Sequence, residues 1–207
     1  MFLHSSIKRV APLLGLALVV ASAANANAIY DNLNASTSGS DPIQSFGPLY
    51  DSFSVGSSSV VIDSIIVSLI NPNGSNGAFT VNLYADNNTS PGSWLAGTGS
   101  ISDGFIGSST TQLTIGGGGV GLNANTRYWV GLVADGVVGS GVNWNWSSDI
   151  SGVGVAGEFF ANANGVFSND SGPYQMQVNT TAVPEPASMA ALGLGVAALI
   201  RRRNKKA

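Results

Sequence analysis

The chain has 207 residues, no cysteine and one histidine, His4, so within residues 29–182 disulfides, cysteine nucleophiles, histidine-based triads and typical zinc sites are excluded by inventory. The formal charge of −3 hides an asymmetry: residues 29–182 hold ten acids and one base, Arg127, giving −9, while every other base lies at an end. A domain this acidic repels phosphate backbones, which argues against a nucleic-acid partner.

The first nine residues carry Lys8 and Arg9, Val10–Val20 is apolar, and Ala21–Ala28 is built of small residues. This is the three-part layout of a secretory signal peptide, here predicted as an N-terminal signal helix within residues 1–28. Ala26-Asn27-Ala28 fits the small-x-small rule of signal peptidase, which places the mature start at Ile29, with Ala24-Asn25-Ala26 as second choice. The single histidine, His4, falls in this removable segment.

Residues 29–182 form one extracytoplasmic domain, long enough to bury a core without disulfides. Tyr30–Gly47 is polar and turn-rich, an extended lead-in. Beyond it, alternation with period two dominates. Phe79, Val81, Leu83 and Ala85 share one face of a strand; Thr111, Leu113 and Ile115 share another; Tyr174, Met176 and Val178 a third. Val60–Ile70 and Tyr128–Ala134 are apolar on both faces, as central strands are, and Trp94–Ser102, Val142–Ser147 and Glu158–Ala163 are shorter candidates. Turn chemistry separates them at Asn71-Pro72-Asn73-Gly74, Asn87–Gly92 and Gly116–Gly119. The expected fold is all-β, an antiparallel jelly-roll-like sandwich. Its core should take Phe79, Val81, Leu83, Leu113, Ile115, Tyr128, Val130, Leu132, Met176 and Val178.

Few side chains remain that could carry chemistry. A carboxylate pair could cleave glycosides, but ten acids make some close pair expected by chance. Gly116–Gly119 lacks the Lys-Ser/Thr and the helix start of a phosphate loop, so it predicts a strand connection. Asp86-Asn87-Asn88 and Asp103 offer oxygen ligands without EF-hand spacing, which favours turn capping over calcium. Arg127 should pair with an aspartate or stack on an aromatic. No cofactor or metal is expected. Trp94, Trp144 and Trp146 are the candidate glycan-stacking residues; alternation puts Trp144 and Trp146 on one face and Asn143 and Asn145 on the other. That face is either a sugar platform or core.

The tail, residues 183–207, has three parts. Val183-Pro184-Glu185-Pro186 should be an accessible, extended strip, because proline removes donors and extends the residue before it. Residues 187–200 are uncharged, but these 14 residues fall short of the roughly 20 that cross a bilayer comfortably. Arg201, Arg202, Arg203, Lys205 and Lys206 then form a stop that holds the C-terminus in the cytoplasm. A transmembrane sorting helix followed by a basic stop suits a temporary hold.

In order and composition this tail resembles the PEP-CTERM sorting signal of Gram-negative bacteria. That resemblance implies an exosortase as processing partner, a transient stay in the inner membrane, and a host that makes extracellular polysaccharide and biofilm. A softer resemblance lies upstream. Val81-Asn82-Leu83-Tyr84-Ala85-Asp86, Ser90-Pro91-Gly92 and Asn123–Val130 are similar to the choice-of-anchor β-domains, which are bacterial surface domains. It implies fold and location and transfers no catalytic residue. The expected protein is an exported, non-enzymatic surface or matrix component; the alternative is a carbohydrate-active enzyme or carbohydrate-binding module using surface carboxylates and tryptophans.

Overall fold

A computed structural model describes residues 27–183, 193–196 and 200–204. Its strands, in chain order, are β1 (Asn27–Asp31), β2 (Gly39–Pro42), β3 (Leu49–Ser54), β4 (Val60–Ile70), β5 (Ala78–Asp86), β6 (Pro91–Gly97) and β7 (Ile101–Ser102). They continue with β8 (Thr111–Gly116), β9 (Gly121–Leu122), β10 (Arg127–Ala134), β11 (Asn143–Trp146), β12 (Phe159–Asn162), β13 (Gly165–Ser168) and β14 (Met176–Ala182). One helical turn, α1 (Ile43–Phe46), precedes β3.

The strands form two antiparallel sheets that pack as a sandwich, as the alternation requires. In the first, β4 is the hub: β14 and β11 pair with it, as do β8 and β9, while β1 extends from β14 and β2 from β11. The second runs β13–β12–β3–β10–β5–β6, with β7 beside β5. Successive strands pass repeatedly from one sheet to the other, the jelly-roll-like feature of the connectivity.

β4 and β10 are flanked on both sides, which explains their apolar runs. Between the sheets Phe79, Val81, Leu83, Tyr128, Val130, Leu132, Met176 and Val178 are buried together, as alternation predicts. Leu113 and Ile115 are only half-buried against this cluster, because β8 lies at a sheet edge. Two aromatic stacks thicken the core: Phe53 on Tyr128 at 6.0 Å, and Trp144 on Tyr174 at 4.7 Å.

Several expectations are corrected. The lead-in Tyr30–Gly47 holds β2 and α1, and Tyr30 itself sits in β1. β3 was not expected, because Asp51 and Ser52 interrupt its apolar pattern, yet both are fully buried. Trp94–Ser102 is two strands, β6 and β7, separated by Thr98-Gly99-Ser100. Tyr174 stands outside β14 and makes only an isolated bridge to Trp146.

Gly116–Gly119 is the expected strand connection, a tight turn from β8 to β9. Gly118 and Gly119 both adopt positive φ there, 60° and 73°, where a Cβ is disfavoured. Among the described residues no helix is long and apolar enough to cross a membrane. Residues 193–196 and 200–204 are helical, while the expected signal helix and most of the sorting helix lie outside the described residues.

β1 runs antiparallel to β14, with Asn27 opposite Thr180. The domain's first and last strands therefore end side by side.

Candidate functional site

The outer face of the second sheet collects aromatic side chains from four neighbouring strands, β3, β10, β5 and β6. On β10, Tyr128, Val130 and Leu132 enter the core, so alternation turns Arg127, Trp129, Gly131 and Val133 outward. On β5 the outward set is Thr80, Asn82, Tyr84 and Asp86; on β3 it includes Tyr50 and Ser52. Trp94 of β6 lies opposite Tyr84.

Gly131 is what lets two of these rings meet. It lies between β3 and β5, opposite Tyr50 and Asn82. A Cβ there would come within 2.6 Å of Tyr50 Cδ1 and 2.7 Å of Tyr84 Cε2, so the rings close over the bare backbone. They meet edge to face with centroids 5.3 Å apart. Burial, then the neighbouring Tyr84, pushes the Tyr50 phenol up to about 12, and burial raises Tyr84 as well, so both stay neutral hydroxyls.

Trp94 continues the row at 60% exposure, and its Nε1 donates to Asn82 Oδ1 at 3.3 Å. Asn82 Nδ2 donates to Thr80 Oγ1 at 2.9 Å. Beneath this row Trp129 is fully buried although it lies outside the inter-sheet cluster, and its Nε1 donates to Asp86 Oδ1 at 2.8 Å. Asp86 Oδ2 also accepts from Thr89 N at 3.3 Å. This carboxylate ties a turn and anchors an indole, as capping chemistry expects. The result is a ridge of one exposed indole and two phenols, edged by amide and hydroxyl groups. Such a surface can stack sugar rings and bond their hydroxyls.

One end of this face is closed by the domain's lone base. Arg127 Nε donates to Glu158 Oε2 at 2.8 Å, Nη2 donates to Gly157 O at 3.1 Å, and the guanidinium lies 4.8 Å above the Phe159 ring. Ser52 Oγ donates to the same Glu158 oxygen. Arg127 thus both pairs and stacks, but its acid is Glu158 rather than the expected aspartate. Behind it, Asp51 is buried and accepts from Tyr174 N at 2.6 Å, Asn169 Nδ2 at 3.2 Å and Tyr30 Oη at 3.3 Å. Burial nevertheless holds its carboxyl well above the usual range.

The other predicted tryptophans fare differently. Trp144 is fully buried, stacked on Tyr174, with Nε1 donating to Gln175 O at 3.0 Å, so it cannot reach a ligand. Trp146 is half-buried, and its ring presses on Gly39 and Gly172. It borders a pocket of about 180 Å³ with Asp41, Phe160, Ser171 and Gly172. Asn145, on the opposite face of the strand, is buried and donates to Ser68 Oγ at 3.0 Å, while Asn143 donates to Ser40 Oγ at 3.1 Å. That face is therefore covered as well. Trp94 is the predicted tryptophan that stands free, and Tyr50 and Tyr84 are the partners that sequence reasoning missed.

Asp103 is fully buried and accepts from Ser140 Oγ, Ser75 Oγ and Gly141 N at 2.7 to 2.9 Å, which binds three loops together. Its oxygens are committed within the protein. Of the signal residues, Ala28 and Ile29 lie within β1, so the expected cut falls inside a paired strand. Val183 is exposed, and Arg201, Arg202 and Arg203 are exposed and helical. Ala26, Pro184, Glu185, Pro186, Lys205 and Lys206 lie outside the described residues.

The family model of the PEP-CTERM protein-sorting motif matches residues 182–204, the tail together with the last residue of β14. No curated protein matches the chain. Among solved structures the chain is similar to the cysteine protease and lectin-like domains of Cwp84, a surface layer associated protein of Clostridium difficile. The identity is 12% and the TM-score 0.48, over 67% of this chain and 33% of that one. The chain thus spans about a third of the length of that protein's chain. The motif implies export, a precursor held at a membrane and an exosortase as processing partner.

Proposed function

We propose, on the premise that the chain carries a PEP-CTERM sorting signal, that it is an exported, non-enzymatic surface or matrix protein whose sandwich binds extracellular polysaccharide. Signal peptidase removes the N-terminal segment, an exosortase acts at Val183–Pro186, and the sandwich remains at the cell surface or in the surrounding biofilm of a Gram-negative host. For residues 29–182 we keep the choice-of-anchor resemblance as part of the same proposal.

The observation that carries polysaccharide binding is the ridge Trp94–Tyr84–Tyr50. An indole left 60% exposed on a sheet face, held by a hydrogen bond from its own ring nitrogen, is an oriented stacking surface. A second observation supports binding over hydrolysis. The pocket beside Trp146 is lined by one carboxylate, Asp41, where glycoside cleavage uses two.

Two measurements test the proposal. Wild-type chain and Trp94→Ala are compared on a polysaccharide array; loss of about 1–3 kcal/mol of binding in the variant is expected for one stacked aromatic. Equal binding by both removes the ridge as the site. Tags near Asp31 and after Ala207 are followed through cell fractions in a host with an active exosortase. They should part in the wild type and stay together in Glu185→Ala; tags that never part overturn the sorting half.

A further inference from the structure

At the flank of the sandwich opposite β6 and β8, the pocket beside Trp146 takes its lining from β2 and β11 of the first sheet and β12 of the second. Asp41 of β2 lies opposite Trp144, and its Oδ2 accepts from the Tyr174 hydroxyl at 2.7 Å. Its Oδ1 makes no hydrogen bond among the described residues. Tyr174 supplies no counter-charge: burial is the largest cause that raises its phenol, so it remains a neutral donor. Asn162 Nδ2 donates to the same hydroxyl at 3.5 Å.

The walls are Trp146 and Phe160, and the rim is Ser171 and Gly172, whose N–H already donates to Asn169 O at 3.2 Å. The pocket therefore offers one negative charge, an uncommitted carboxylate oxygen, the Ser171 hydroxyl and the accessible parts of two aromatic rings, and no basic residue lines it. That set matches a group that carries positive charge and only donates: an ammonium takes the carboxylate by a charge-assisted bond and the rings by cation–π contact. A neutral hydroxyl could pair with Asp41 and Ser171, but it would leave the carboxylate's charge unused. The surrounding field agrees. Residues 29–182 carry a formal −9, and their one base is already paired with Glu158.

We infer that this pocket binds an amino-sugar residue carrying a free ammonium group. About 180 Å³ is the space of about six water molecules. The pocket is open on its outer side, so one sugar residue enters it while the rest of the polymer lies outside. The inference rests on the polysaccharide reading but uses a different site from the Trp94 ridge, so the two can fail separately.

The test uses the full chain in detergent micelles, titrated calorimetrically with glucosamine oligosaccharide and with N-acetylglucosamine oligosaccharide of equal length. The free amine should bind about tenfold tighter, and the advantage should shrink in high salt. Asp41→Asn and Trp146→Ala, each checked for a native melting transition, should each lose about tenfold for the amine, while Trp94→Ala should not change it. Equal affinity for the two oligosaccharides overturns the inference on the wild type alone, whether or not Asp41→Asn folds. Undiminished amine binding by folded Asp41→Asn overturns it too. Amine binding that is lost only in Trp94→Ala rejects the pocket and leaves the ridge standing.

Discussion

Alanine at position 131 tests whether the aromatic ridge is built on a missing side chain. In an open strand position Gly→Ala stabilises by about 0.4–1 kcal/mol, through the unfolded chain. Here the new methyl lies 2.6 Å from Tyr50 and 2.7 Å from Tyr84, so the rings must retreat by about 1 Å to reach ordinary contact. Each blocks the other, because they meet edge to face at 5.3 Å. Overpacking costs about 1–3 kcal/mol, and losing the ring pair costs about 0.5–1.5 kcal/mol more. The penalty outweighs the entropic gain, and we expect a net loss of about 1–3 kcal/mol. Urea denaturation followed by tryptophan fluorescence should show a lower midpoint at unchanged slope. Gly56→Ala, with nothing within 4 Å of its Cβ, is the control and should be neutral or stabilising. In a Tyr84→Ala background most of the Gly131→Ala penalty should vanish. A Gly131→Ala protein as stable as wild type refutes the packing argument, and one that is destabilised yet binds polysaccharide normally separates the ridge from binding.

Arg127→Ala strands Glu158, which is only 4% exposed, and should cost about 3 kcal/mol by thermal melting, the low end for a buried pair because the arginine is itself partly open. Adding Glu158→Gln should recover part of that loss; no recovery would mean Arg127 acts through packing alone. Leu83→Ala should cost about 2–5 kcal/mol by urea denaturation, and a loss below 1 kcal/mol would place Leu83 outside the core. Asp51 gives a pH test. Its folded pKa is raised by burial, so the folded state holds the proton more tightly than the unfolded state, and this contribution to stability declines as pH rises above the unfolded value of about 3.9. The stability advantage of wild type over Asp51→Asn should therefore shrink from pH 4 to pH 8 (about the span between the unfolded pKa and neutrality); an advantage that grows would reverse the assignment.

The strands that were legible in the sequence are those whose buried face is purely apolar. β5 shows Phe79, Val81 and Leu83 at every second position, and all three are in the core. β3 was hidden because its inward residues are Leu49, Asp51 and Phe53: an acid at the centre of the pattern reads as a turn, and only the donors from Tyr30, Asn169 and Tyr174 make it tolerable inside. None of those donors is within twenty residues of it in sequence. The same limit governed the site. Trp94 could be singled out from composition, but its row with Tyr84 and Tyr50 exists only through strand register across β10, set by residues far apart in the chain. Trp144 and Trp146 share a face as alternation says, yet Tyr174 covers the first and leaves the second at the rim, a difference that the tetrad Asn143–Trp146 does not carry.

The pairing of Tyr30 with Val178 also sets a clock. β4 offers its long edge to β14, and β14 offers its other edge to β1, so the first strand to leave the export channel has no ladder partner until the last strand follows it. A contact between residues so far apart in sequence is slow to close and comes late. The first sheet is thus completed only when the segment next to the sorting motif has crossed, and the tail that holds the chain at the membrane keeps its unfinished edge in place while the ladder zips.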